Sequence, residues 1–284
     1  MLGAFAIPIR FIEAVANEVR APSKSKPIKV ADFDAILCDL DGVITQTAVL
    51  HAAAWKRLFD DYLKKAAACT GSTWEPFRLE EDYRLYVDGK ARYDGVRDFL
   101  TSRGLSLPLG LPEDSSDQET IYGLGNKKDE YFEAALRESG GAVYPGTVRY
   151  LQVARAAGLK MAVVSSSLHC REIIDKAGLS TLFDARIDGH EIDRLHLHGK
   201  PAPDTFLEAA RRLDVQAEKA IVIEDALAGV QAGHAGGFGL VIGVNRGDQA
   251  QALRQHGADI VVSDLAELLP SGTEMEPSSV PLAR

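Results

Sequence analysis

The segment Asp39-Leu40-Asp41-Gly42-Val43-Ile44-Thr45 follows directly on the short apolar run Ala35-Ile36-Leu37-Cys38. Two carboxylates so placed can divide a reaction, one attacking as nucleophile while the other gives and takes a proton. Gly42 permits the sharp turn that keeps both near the same substrate. Two other apolar runs end in polar groups. Ser165, Ser166 and Ser167 follow the run Lys160 to Val164, and Glu224 and Asp225 follow Ala220 to Ile223. A basic turn, Gly199-Lys200-Pro201, precedes a helical pattern.

These types are coherent for phosphoryl transfer. Clustered carboxylates are costly unless a hard cation neutralises them, and Mg²⁺ binds through one or two carboxylates plus substrate phosphate. The metal also screens the attack of an anionic carboxylate on an anionic phosphate. Lys200 supplies a further positive charge, and Ser165 a hydrogen bond to a phosphoryl oxygen.

The elements that must position these groups are legible as apolar runs. Besides the three above, Leu240 to Val244 and Ile260 to Val262 are continuous rather than alternating. Continuous apolarity predicts strands buried on both faces of a parallel sheet. Helical patterns at Cys170–Ala177, Thr205–Leu213, Leu227–Ala235 and Gln249–Gln255 separate the last four runs. Strand alternating with helix predicts an α/β fold, a Rossmann-like doubly wound parallel sheet. In such a sheet ligands bind beyond the carboxyl ends of the strands, where the polar groups lie. From about Val49 to Gly140 no comparable run occurs, only helix-like patterns at His51–Lys65, Val96–Ser102 and Lys127–Glu138. An inserted helical domain is expected there, with Pro145-Gly146 marking the return to the sheet. The expected division is an extension at 1–31, a core at 32–48 and 142–270, a helical cap at 49–141 and a disordered tail at 271–284.

Composition narrows the partners. The net charge of -9 has the wrong sign for general nucleic-acid or anionic-membrane binding. Cys38, Cys69 and Cys170 are scattered and lack CxxC spacing, which fits a reduced cytoplasmic location rather than a disulfide framework. The apolar start is short and lacks a basic region, so it does not read as a signal peptide. No run reaches the roughly eighteen apolar residues that a membrane span needs. The amphipathic stretch Phe11, Ile12, Val15, Ala16 and Val19 reads as a helix docked on the body or a partner.

The ordered set Asp39-Leu-Asp41-Gly-Val, Ser165, Lys200-Pro201 and Glu224-Asp225 resembles the haloacid dehalogenase superfamily. Within it, Asp39 through Trp55, Gly199 through Asp204 and Ile223 through Ala232 resemble the β-phosphoglucomutase-like subfamily. The resemblance implies Asp39 as the phosphorylated nucleophile and Asp41 as the general acid/base. It implies Mg²⁺ held by Asp39, the backbone carbonyl of Asp41, Asp225 and Glu224. Arg92 falls where the subfamily grips a distal phosphate, and Lys127 occupies a similar cap position. Thr47, His51 and Trp55 match residues near the cap hinge. Ser166, Ser167 and His169 are assigned to substrate contact, although Leu168-His169 stands where the subfamily has a Lys-Asn pair. Gln46 replaces a common acid, and a stretch around Cys69 to Tyr86 lengthens the cap.

Some residues read more simply. One of the three serines caps the following helix, and His190, His196 and His198 lie in a polar loop. Trp55 and Trp74 belong to the core. The expectation is a Mg²⁺-dependent sugar-phosphate mutase acting on a small molecule, as a monomer or weak dimer. A phosphatase with the same Asp39 is the alternative, and a non-catalytic binding protein on this fold the remote one.

Overall fold

The structure is a computed structural model that describes residues 32–71 and 73–269. The extension over 1–31 and the tail expected at 271–284 lie outside the described residues.

Six strands form one parallel sheet: β1 (Ala35–Cys38), β2 (Lys160–Val164), β3 (Ala185–Ile187), β4 (Ala220–Glu224), β5 (Leu240–Val244) and β6 (Ile260–Val262). Their order is β3-β2-β1-β4-β5-β6. The strand order therefore reverses at β1, which pairs with β2 on one side and β4 on the other. β1, β4 and β5 are buried along their whole length, as their unbroken apolar sequences require. Side chains alternate between two cores: Ile36 and Cys38 enter one, Ala35 and Leu37 the other. β3 was not foreseen, because three residues with a central Arg186 carry no continuous apolar signal.

Helices cover both faces. α4 (Pro145–Ala156), α5 (Cys170–Lys176), α6 (Gly189–Leu195), α7 (Asp204–Arg212), α8 (Leu227–Ala235) and α9 (Ala250–Gln255) follow one another between the strands. Pro145 opens a helix before the chain re-enters the sheet, as its missing N–H and fixed φ allow at a first turn. The stretch read as a loop around His190 instead contains α6, because Asp188 accepts a hydrogen bond from the Glu191 amide at 3.1 Å and caps it.

Between β1 and β2 lie α1 (Ala48–Thr70), a π-helical segment (Leu79–Val87), α2 (Arg92–Ser102) and α3 (Ile121–Ser139). The π segment winds through i to i+5 bonds such as Tyr83 N to Arg78 O at 3.2 Å. These helices have an apolar cluster of their own, including Trp55, Phe59, Phe77, Phe99 and Leu124. Trp55 is buried in it, whereas Trp74 is half-exposed and not a core residue. No described helix is long and apolar enough to cross a membrane.

Candidate active site

β1 delivers Asp39 to the sheet edge at the point where the strand order reverses. The Asp39 amide donates to Ile223 O of β4 at 2.9 Å, so the strand pairing itself fixes the residue. Lys200 Nζ lies 2.5 Å from Asp39 Oδ1 and 2.5 Å from Glu224 Oε1, and donates to Val164 O at 3.2 Å. Glu224 Oε2 accepts from the amides of Asp225 and Ala226 at 3.1 and 3.2 Å. Glu224 thus anchors Lys200, and Lys200 orients Asp39. Asp39 Oδ2 has no hydrogen-bond partner among the described residues, and Asp39 lines the pocket.

Burial pulls the Lys200 ammonium down, but the Asp39 and Glu224 carboxylates outweigh it and hold Lys200 above the usual lysine range. Burial pushes Asp39 well above the usual carboxylate range, with Glu224 and Asp41 adding to the rise against Lys200. Burial, Asp88 and Glu224 do the same to Asp225. Oxygens of Asp39, Glu224 and Asp225 lie within 4.8 Å of one another. Three buried carboxylates with Lys200 against them leave excess negative charge, and an all-oxygen donor set suits a hard divalent cation.

Asp41 sits in different surroundings. Thr47 Oγ1 donates to its Oδ1, and Ser165 Oγ donates to its Oδ2 at 3.1 Å. Thr45 Oγ1 lies 2.7 Å from Thr47 Oγ1 and extends this row of hydroxyls. Burial alone would raise Asp41, but His51 and these hydroxyl donors bring it down to about 2. Asp41 is therefore held as an ionised carboxylate, while burial works against the charge of its neighbour Asp39 and Lys200 works for it.

The insertion supplies the opposite wall. Asp39, Asp41, His51, Trp55, Arg92 and Lys128 all line one pocket. Lys128 Nζ lies 2.5 Å from His51 Nδ1, and His51 Nε2 lies 3.3 Å from Asp41 Oδ1, a close approach that falls short of hydrogen-bond geometry. The His51 ring stacks on Phe132 with centroids 3.8 Å apart. Burial and then the Lys128 charge push His51 down to about 4, so it is a neutral acceptor at neutral pH. Burial and Arg92 likewise lower Lys128 to about 7. Arg92 Nη2 reaches Asp129 Oδ1 at 2.6 Å.

Ser166 and Ser167 also line the pocket. Ser166 Oγ donates to Gly89 O at 3.0 Å, Ser165 Oγ accepts from the Ser167 amide at 3.1 Å, and Ser167 Oγ accepts from the His169 amide at 3.2 Å. These bonds shape the turn ahead of α5, whose own N-terminal flank at His169 has no side-chain cap. His169 Nε2 lies 3.0 Å from Asp129 Oδ1 and meets the pocket through that residue. Lys127 is not brought to the pocket: its Nζ lies 3.3 Å from Asp117 at the surface. Its neighbour Lys128 is, together with Asp88 and Tyr83, none of which the sequence reading singled out. The signal for Lys128 was present in the helical period, since residues 127 and 128 point about 100° apart on α3 and 128 shares a face with the buried Leu124 and Phe132.

A family model described as haloacid dehalogenase-like hydrolase matches residues 33–237. A β-phosphoglucomutase from Mycobacterium bovis is 51% identical over 255 residues, covering 89% of this chain and 96% of that one. A solved β-phosphoglucomutase from Clostridium difficile superposes with a TM-score of 0.63 at 25% identity, over 83% of this chain and 93% of that one. A CbbY mutant from Rhodobacter sphaeroides, in complex with xylulose-(1,5)bisphosphate, superposes with a TM-score of 0.61 at 28% identity, over 83% and 96%.

Proposed function

The chain belongs to the haloacid dehalogenase-like hydrolase family, and on that premise we propose that it is a sugar-phosphate mutase of the β-phosphoglucomutase type. The observation that carries this reading is a pocket with two phosphate-competent walls. Asp39 and Ser165, with the buried Lys200 behind Asp39, stand on the core side, and Arg92 and Lys128 on the insertion side. Two basic groups in the pocket besides the Lys200 that holds the nucleophile suit a substrate with a second phosphate. In this scheme the insertion over 49–141 acts as a cap on the core of 32–48 and 142–270, and its buried contacts exclude water.

Asp39 carries the phosphoryl group on Oδ2, the oxygen that Lys200 leaves free. A sugar hydroxyl attacks the phosphorus, its proton passes to Asp41, and the bond to Asp39 Oδ2 breaks. The resulting bisphosphate turns over in the pocket and presents its other phosphate to Asp39. Asp39 attacks that phosphorus, and Asp41 returns the proton to the departing sugar oxygen. The low-lying Asp41 carboxylate is ready to act first as base. Arg92 and Lys128 hold whichever phosphate is distal, with Trp55, His51, Ser166, Ser167 and His169 shaping the sugar's surroundings. Thr47 holds Asp41 in place. A Mg²⁺ bound by Asp39, Asp225 and the Asp41 main-chain carbonyl, with Glu224 acting behind Lys200, would supply charge neutralisation between the phosphoryl oxygens and the carboxylates.

The same Asp39 chemistry with water as acceptor gives a phosphatase, and the hydrolase character of the family favours that second reading. Phosphorus NMR of the full chain with β-glucose 1-phosphate, a trace of the 1,6-bisphosphate and Mg²⁺ separates the two. Glucose 6-phosphate supports the mutase; inorganic phosphate alone contradicts it.

A further inference from the structure

Asp88 stands between the π-helical segment and α2, in a stretch of the insertion that touches the core. The neighbouring Gly89 is pinned from two sides. Its carbonyl accepts from Ser166 Oγ of the turn after β2 at 3.0 Å, and a Cβ added to it would lie 2.9 Å from the Ala226 Cβ of the turn after β4. That double contact sets Asp88 into the pocket shared by Asp39 and Asp225. Tyr83 lines the same pocket, and its hydroxyl donates to Ala48 O at 3.5 Å at the start of the insertion. Among the charges around Asp225, that of Asp88 acts most strongly.

Docking a fourth carboxylate against a buried acid group is unfavourable unless a cation answers it. Asp225 shows the same need: it is 6% exposed, and its carboxylate has no hydrogen-bond partner among the described residues. Asp88 lies outside the set of carboxylates close enough to share an ion directly. Mg²⁺ retains several waters in protein sites, so a carboxylate at that remove acts on its hydration shell.

Resting on the reading of Asp39 and Asp225 as cation ligands, we propose that Asp88 is the insertion's contribution to that site. It engages the cation's bound water, so that cation binding and closure of the insertion over the core strengthen one another. Without the cation, repulsion between Asp88 and the Asp39–Asp225 pair favours the open form. Linkage requires the effect to be reciprocal, so whatever weakens the coupling lowers both cation affinity and cation-driven closure.

The test titrates the full chain with MgCl₂ alone, reading affinity by calorimetry and closure by small-angle X-ray scattering. Wild type should bind Mg²⁺ and become more compact. Asp88→Asn, nearly isosteric and uncharged, should bind about tenfold more weakly, in the range of outer-shell carboxylate losses. It should also be more compact without Mg²⁺ than wild type. Asp88→Ser provides a second uncharged variant with the same expected loss. Wild-type affinity and wild-type compaction in either folded variant would overturn the proposal. So would a wild type that binds Mg²⁺ without change of shape. A wild type that takes up no Mg²⁺ would instead remove the cation reading on which the proposal rests, and the proposal with it.

Discussion

A single carboxylate oxygen, Asp129 Oδ1, lies 2.6 Å from Arg92 Nη2 and 3.0 Å from His169 Nε2. Arg92 and Asp129 belong to the segment between β1 and β2 and His169 follows β2, so one acid ties the two together beside the pocket. Arg92 is therefore held in place before any ligand arrives, and in the proposed scheme a distal phosphate competes with Asp129 for it.

The first prediction concerns that guanidinium. A hydrogen bond to a charged group contributes about 1.5–3 kcal/mol, roughly a ten- to hundredfold change in rate or affinity. Arg92→Ala should lower mutase kcat/KM by about that factor, while release of inorganic phosphate from the same substrate falls less. Parallel assays of both products decide it. Equal losses would remove the distal-phosphate role from Arg92.

Lys128 should make binding depend on pH. Burial and Arg92 bring its ammonium down to about 7, so it is charged below that pH and neutral above it. Affinity for the sugar phosphate should then weaken as pH rises through about 7, approaching tenfold per pH unit if the charge is essential. Lys128→Arg keeps its charge throughout and should flatten the profile. KM measured across this range for both proteins checks the prediction, and unchanged slopes would refute it.

How much of this was legible beforehand follows from the physics of each signal. The strands ending in Asp39, Ser165 and Asp225 announce themselves because burial on both faces forces unbroken apolar runs. The doubly wound sheet is readable for the same reason, and only the three-residue β3 was too short and too polar to see. The insertion is harder. Lys128 was masked by the adjacent Lys127, since a lysine's burial depends on which way its helix faces. Asp88 lies in a turn with no period at all, and its meaning comes from a contact with residues far along the chain.

Gly42 offers a structural test. It adopts φ +90, and a Cβ there would fall 1.8 Å from Asp225 Oδ2. Gly42→Ala should cost about 1–2 kcal/mol from the left-handed backbone alone, and more from displacing Asp225. Thermal unfolding should show a lowered Tm, and Mg²⁺ affinity should fall with it. A variant with wild-type Tm and affinity would show that the turn is softer than its geometry implies.

The central claim is that Asp39 carries a phosphoryl group from one sugar oxygen to another. The most direct measurement is a pulse and chase with the full chain. Glucose 1,6-bisphosphate labelled in its phosphates is added with Mg²⁺, the protein is isolated by rapid quench, and a parallel sample is chased with unlabelled β-glucose 1-phosphate. The account predicts label on Asp39 by peptide mapping, none in Asp39→Asn, and transfer of that label into sugar phosphate during the chase. Label that leaves wild type as inorganic phosphate, or that is found on Asp39→Asn, would contradict it.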